Sequence, residues 1–196
     1  MKFFILLDTS GSMEGAKIGA LNDAMSNILV TLQGAAFDGK QIELSVMTFG
    51  KTAQWMYDSP KSVMDFGWKE LKANGMTPLG TACQALDVAL NKHSIVGEEI
   101  IIIVLSDGCP TDDYDSGITL LDNNRYFSLA NKYAIALGEN ADMASLKRFV
   151  KEDSHLYTVA TADNLLDTLS STIYRNIGGK TNAAKNINNE SDGEWD

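Results

Sequence analysis

Cysteine is close to absent from this 196-residue chain. Cys83 and Cys109 are the only two, too few for a disulfide framework and without the spacing of zinc ligands. Cys83 lies among Leu79, Ala82, Leu86 and Leu90 at helical spacing, which marks it as a small buried apolar residue. Histidine is equally scarce: His93 and His155 stand apart, one at a helix end and one at a strand start, and neither has a companion for metal binding or catalysis. No apolar run approaches the roughly 18 residues of a membrane span. The opening Phe3-Phe4-Ile5-Leu6-Leu7 is too short for the core of a signal peptide and ends in Asp8 rather than a small-residue cleavage site, so a cytoplasmic protein is expected. Excess positive charge is missing too. Sixteen Lys and Arg face 26 Asp and Glu, a net charge of −10. Setting aside the four acids after Lys185 (Glu190, Asp192, Glu194, Asp196) leaves −6, so the body is acidic without its tail. Nonspecific binding to nucleic acid or to an anionic membrane needs a basic surface and is excluded on this ground. An acidic surface meets an acidic partner only through a bound cation.

What is present is an alternation of short apolar runs with helical patterns, the signature of a parallel α/β sheet. Lys2 to Leu7 is apolar after its first residue, as a central strand covered on both faces should be. Ile18, Leu21, Met25, Ile28, Leu29 and Leu32 then form a helical stripe. Ile42 to Phe49 and Thr52 to Tyr57 flank Gly50-Lys51, which predicts an antiparallel hairpin with a two-residue turn at one edge of the sheet. Residues 59 to 76 read as irregular, and a helix runs from about Pro78 to His93. Ile100 to Leu105 is a second buried strand, followed by a polar loop over 108 to 117 and a helix from Leu120 to Ala130. Tyr133 to Leu137 and His155 to Val159 are further strands. Asp142 caps a helix through Val150, and Thr161 caps a last helix bearing Leu165, Leu166, Leu169 and Ile173. This gives one domain over 1–177 and a disordered acidic tail over 178–196, in which Trp195 is a candidate docking residue. Trp55 and Trp68, around the hairpin edge, read as packing residues.

Three segments place oxygen-bearing side chains at carboxyl ends of strands: Asp8-Thr9-Ser10-Gly11-Ser12-Met13, Gly75-Met76-Thr77-Pro78 and Leu105-Ser106-Asp107-Gly108. Ligands of open parallel sheets bind there, at the point where strand order reverses. With the first strand beside the Ile100 strand, Asp8 and Asp107 lie together, and Thr77 adds a hydroxyl from the start of a helix. Two carboxylates and three hydroxyls suit a hard divalent cation, Mg²⁺ above all, with Mn²⁺ or Ca²⁺ as alternatives. The set holds no imidazole or thiol, which disfavours zinc and copper. Gly11 is expected to give the tight turn that aims Ser10 and Ser12 inward.

Asp8-Thr9-Ser10-Gly11-Ser12, Thr77 and Asp107 resemble the metal-ion-dependent adhesion site of von Willebrand factor A domains, whose pattern is Asp-x-Ser-x-Ser, a distant Thr, then an Asp after an apolar strand. The order of segments is similar to that fold through about residue 175. The resemblance implies a Rossmann-like, doubly wound, mostly parallel six-stranded sheet with one antiparallel edge strand and helices on both faces. It implies that Ser10 and Ser12 coordinate the ion directly, that Asp8 and Asp107 act directly or through water, and that Thr77 alternates between the two. The open coordination position then takes a Glu or Asp carboxylate from a protein partner. Thr77-Pro78-Leu79-Gly80 and Asp107-Gly108-Cys109-Pro110-Thr111-Asp112 resemble a bacterial cytoplasmic subset associated with tellurium resistance and stress-response operons, which implies work beside a protein kinase and a phosphatase.

Taken singly, each motif has a plainer reading: the Asp-x-Ser-x-Ser stretch as a turn and helix cap, Thr77 as an N-cap, Asp107-Gly108 as a turn. Asp112, Asp113, Asp115 and Asp122 read as a solvated loop rather than a second cation site. A phosphohydrolase with Asp8 as nucleophile would need an acid two residues on, where Ser10 stands. A non-catalytic interaction module is therefore the expectation, with a metal-independent scaffold acting through the tail as the remaining alternative.

Overall fold

A computed structural model describes residues 1–92, 95–139 and 141–178; the expectations for His93 and for the tail beyond residue 178 lie outside them. Seven strands make one sheet: β1 (Lys2–Asp8), β2 (Glu43–Phe49), β3 (Ala53–Trp55), β4 (Lys61–Ser62), β5 (Ile100–Ser106), β6 (Asn131–Leu137) and β7 (Leu156–Val159). The order is β3-β2-β1-β5-β6-β7, with β4 also on β2. β1, β2, β5, β6 and β7 are mutually parallel, while β3 and β4 run antiparallel to β2. The antiparallel edge strand is thus broken in two: β3 pairs with the Met47–Phe49 end of β2 and β4 with Glu43 and Leu44.

The period-2 alternation of β1 explains the layering. Phe3, Ile5 and Leu7 point to one core with α1 (Ala16–Phe37) and α6 (Ala162–Ile177). Phe4 and Leu6 point to the other, shared with α2 (Leu79–Lys92), α3 (Tyr114–Asp122), α4 (Arg125–Leu129) and α5 (Met143–Val150). Cys83 is fully buried in the second core, where burial pushes its thiol pKa up and keeps it un-ionised. Trp55 packs edge-on to Phe4, ring centres 6.2 Å apart, and Trp68 packs against the first core, so both tryptophans are packing residues. No helix among the described residues is long and apolar enough to cross a membrane.

Three local expectations need correction. The hairpin register pairs Phe49 with Ala53, so its turn has three residues, 50 to 52, not two. Gly50 is there for another reason, close approach of backbone, described below. The segment 108–117 is not all loop: α3 begins at Tyr114, six residues before the expected helix start, and the expected Leu120–Ala130 helix is split at Asn123 and Asn124. Both halves are capped, by Asp113 accepting from the Ser116 N–H and by Asn124 accepting from the Tyr126 and Phe127 N–H groups. Finally, the Asp run is solvated at Asp113 and Asp115, as expected, but it is not all loop and its carboxylates have partners. Asp112 caps α2 across space by accepting the Gly80 and Thr81 N–H groups at 2.8 and 2.7 Å, Asp115 pairs with Arg148, and Asp122 pairs with Lys151. The caps at Asp142 and Thr161 stand where the sequence put them.

α2 and α3 cross glycine to glycine. A Cβ on Gly117 would lie 2.4 Å from the Gly80 carbonyl oxygen, and one on Gly80 would lie 2.4 Å from that of Asp113. Neither helix has room for any side chain at the crossing.

Candidate metal centre

β1 and β5 are adjacent, so their carboxyl ends deliver Asp8 and the Ser106-Asp107 pair to one spot. The strand order reverses between these two strands, because β2 lies to one side and β6 and β7 to the other. Asp8 is fully buried. Its Oδ1 accepts the Ser10 N–H at 2.8 Å, an Asx turn that folds the loop back, and its Oδ2 accepts the Ser106 hydroxyl at 2.5 Å. The Ser10 and Ser12 oxygens are 2.9 Å apart, and the Ser12 hydroxyl donates to Asp107 Oδ1 at 2.6 Å. Asp107 Oδ2 accepts from the ammonium of Lys17, on the first turn of α1.

Thr77 arrives from the loop before α2. Its N–H donates to the Thr111 hydroxyl at 3.0 Å and its carbonyl accepts the Thr111 N–H at 2.9 Å, which fastens this loop to the one after Asp107. Thr77 Oγ1 and Ser12 Oγ face the same point: a Cβ on Gly108 would stand 3.4 Å from the first and 3.8 Å from the second. The structure therefore brings all five predicted residues together; Asp8, Ser10, Thr77 and Asp107 are buried and Ser12 is exposed.

Gly11 does not do what the sequence suggested. Its φ is not positive, and a Cβ there would make only an ordinary 3.5 Å contact with the Gly75 oxygen. The constrained glycines are Gly50 and Gly75. A Cβ on Gly50 would lie 2.6 Å from the carbonyl oxygens of both Thr9 and Asn74. Gly75 has φ +90° and leaves no space beside the Lys51 nitrogen. Around them the Asn74 N–H donates to the Thr9 carbonyl at 2.7 Å and the Gly11 N–H to the Gly75 carbonyl at 2.9 Å. Three loops are thereby held in one rigid rim.

Sequence reasoning quoted Ser106 within its segment without giving it a part, and missed Lys17. A signal for Ser106 existed: it continues the Ile102, Val104 face of β5, where alternation calls for an apolar residue, and a polar one there is placed to bond the neighbouring strand end. Nothing marked Lys17, because its reach to Asp107 depends on where α1 sits. Burial holds the Asp8 carboxyl above its usual pKa, and the charge of Asp107 adds in the same sense, while the hydrogen bonds from Ser106 and Ser10 act against both. Replacing Ser106 with Ala removes a donor from a buried carboxylate oxygen. We expect a loss of about 1–3 kcal/mol in urea unfolding of the metal-free protein, whereas an unchanged midpoint would show that Ser106 carries no such load.

The donor set can be tested against a cation directly. Among the described residues no group of three or more His, Cys, Asp or Glu side chains gathers, so an ion here depends on hydroxyls beside two carboxylates. That set suits Mg²⁺ or Mn²⁺ and is poor for soft metals. Two buried carboxylates side by side also call for positive charge, which Lys17 supplies to only one of them. The residues fit a hard divalent ion.

The family model for the von Willebrand factor type A domain matches residues 3–172. No curated protein sequence is a significant match. Among solved structures, a von Willebrand factor type A protein from Catenulispora acidiphila is 16% identical with a TM-score of 0.71, over 90% of this chain and 42% of that one. The pilus adhesin SpaC from Lactobacillus rhamnosus GG is 13% identical with a TM-score of 0.74, over 90% and 30%. Proximal thread matrix protein 1 from the mussel byssus, in a structure described as having a zinc-occupied MIDAS motif, is 14% identical with a TM-score of 0.67, over 90% and 45%. The chain spans less than half the length of each of these three proteins.

Proposed function

The chain belongs to the von Willebrand factor type A domain family, and from that premise we propose that it is a metal-dependent protein-interaction module. Asp8, Ser10, Ser12, Thr77 and Asp107 would hold the ion, Mg²⁺ or Mn²⁺ before Ca²⁺. Bound there, the ion supplies a Lewis-acidic position for a Glu or Asp carboxylate of a partner. The observation that carries this reading is the linked chain of oxygens from Ser10 through Ser12 to Asp107, beside a buried Asp8. The surrounding negative charge favours a partner that places one carboxylate correctly and repels those that do not.

The phosphohydrolase alternative is weakened by the geometry of Asp8. A nucleophile needs an exposed oxygen, and Asp8 is fully buried with both oxygens accepting hydrogen bonds. The likeness of the Thr77-Pro78-Leu79-Gly80 and Asp107-to-Asp112 segments to the tellurium-resistance subset extends the proposal to a stress-response complex in the cytoplasm, with a kinase or a phosphatase presenting the carboxylate.

The test is capture of a partner on the immobilised chain with Mg²⁺ or Mn²⁺ and with EDTA. Binding is expected to require the ion and to vanish in Asp8→Ala and Asp107→Ala proteins that remain folded. Binding that survives EDTA and both substitutions sinks the proposal; if it is then lost on truncation after Ile177, the tail is the docking element.

A further inference from the structure

We infer that Lys17 is a tethered counter-cation that competes with the divalent ion for Asp107 and so sets the affinity of the centre; this rests on the metal-binding reading above. Asp107 divides its oxygens, Oδ1 taking the Ser12 hydroxyl and Oδ2 the Lys17 ammonium. The Asp107 side chain has no exposed surface while that of Lys17 is 42% exposed, so the carboxylate is fixed and the lysine is the member free to leave. Its stem has somewhere to lie. It borders a small apolar cleft of about 110 Å³ between α1, the end of β6 and the start of α6, lined by Ala20, Leu137, Val159 and Leu165. Gly138 borders the end of the side chain: a Cβ there would be in ordinary contact, 3.7 Å from Cε and 3.8 Å from Nζ, so the lysine end lies loosely against backbone and not in a tight socket.

An ammonium on Asp107 and a divalent ion drawing on the same carboxylate repel each other. The ion either displaces Lys17 from Oδ2 or binds with a positive charge a few ångströms away. Both routes weaken binding, because a unit charge about 5 Å from a divalent ion shifts its affinity roughly tenfold even at the dielectric constant of water. Lys17 thus keeps the carboxylate compensated when no ion is present and makes the ion readily exchangeable. It is a positioning residue, since it acts on the ion through Asp107.

The experiment is titration of the full chain with Mn²⁺, followed by calorimetry and by the electron paramagnetic resonance signal of free Mn²⁺. Lys17→Met keeps the length of the stem and removes the charge, Lys17→Gln guards against a folding defect in the first variant, and Lys17→Arg keeps the charge. We expect the dissociation constant to fall about tenfold in the Met and Gln variants, to stay within about threefold in the Arg variant, and the difference to shrink as KCl is raised. If the wild-type chain binds Mn²⁺ and the neutral variants bind no more tightly, the inference about Lys17 is overturned and the metal-binding reading stands. If the wild type does not bind and the neutral variants do, Lys17 is confirmed as the competitor. If none of them binds, both ideas fall together.

Discussion

Asp8→Asn is expected to lower divalent-cation affinity by a factor of about 100 or more, beyond what the loss of an outer-shell partner does, while leaving the metal-free protein at least as resistant to heat as the wild type. The two halves of that result come from the same buried carboxylate. Without an ion, burial and the neighbouring Asp107 hold the Asp8 pKa above its ordinary value of 3.8, so its ionised form is disfavoured in the folded state relative to water. Asparagine removes that penalty and keeps an oxygen for the Ser10 N–H. The sign of the pH dependence follows. A raised folded-state pKa contributes stability that is fully present below the unfolded value and is lost as pH rises through the folded one. Metal-free wild type should therefore lose stability relative to Asp8→Asn as pH rises above about 4, read as the difference between their melting temperatures in EDTA. An Asn variant that melts well below wild type at neutral pH would mean that the carboxylate is a net structural asset, and the ion-binding account of its burial would lose its main support. Acidification should weaken ion binding in the wild type over the same window, because protons and the ion compete for Asp8.

The second large effect lies away from the centre. Gly117→Val should cost about 3 kcal/mol or more, at the upper end of overpacking penalties, and lower the melting temperature by roughly 6–12 °C for a domain of this size. The contact to be relieved is with backbone, the Gly80 carbonyl at 2.4 Å, and backbone cannot turn aside as the end of a side chain can. Gly80 is also where Asp112 caps α2, so separating the helices would pull on the loop that carries Thr111 and, through it, Thr77. Gly19→Ala in α1 is the control: nothing lies within 4 Å of a Cβ there, and the change should be neutral or stabilising by up to about 1 kcal/mol. Equal melting temperatures for the two variants would show that the α2–α3 crossing has slack that the backbone distances deny.

The contrast between Gly117 and Gly19 also marks the limit of what the sequence tells. Both are helical glycines, and only the placement of a second helix separates them. The places of Asp8, Ser10, Ser12 and Asp107 were legible because each follows the end of a strand, which the hydrophobic pattern finds well, whereas Thr77 sits where a long loop enters α2 and was legible only as a helix start. Strand identities followed from runs such as Phe3 to Leu7 and Ile100 to Leu105, whose residues are buried on both faces. The start of α3 was missed because Asp112 and Asp113 look like loop residues until their partners in α2 and α3 are known. Lys17 was invisible for the same reason, since its partner is 90 positions away and its own surroundings are those of any amphipathic helix.

The margins of the sheet have a colloidal consequence. Its outermost strands on one side are the three-residue β3 and the two-residue β4, with the chain bent away between them, and on the other the four-residue β7. Among the described residues, a neighbouring copy therefore meets no long edge strand on which to extend a ladder. At high concentration, growth of the sheet from copy to copy along these edges should be opposed.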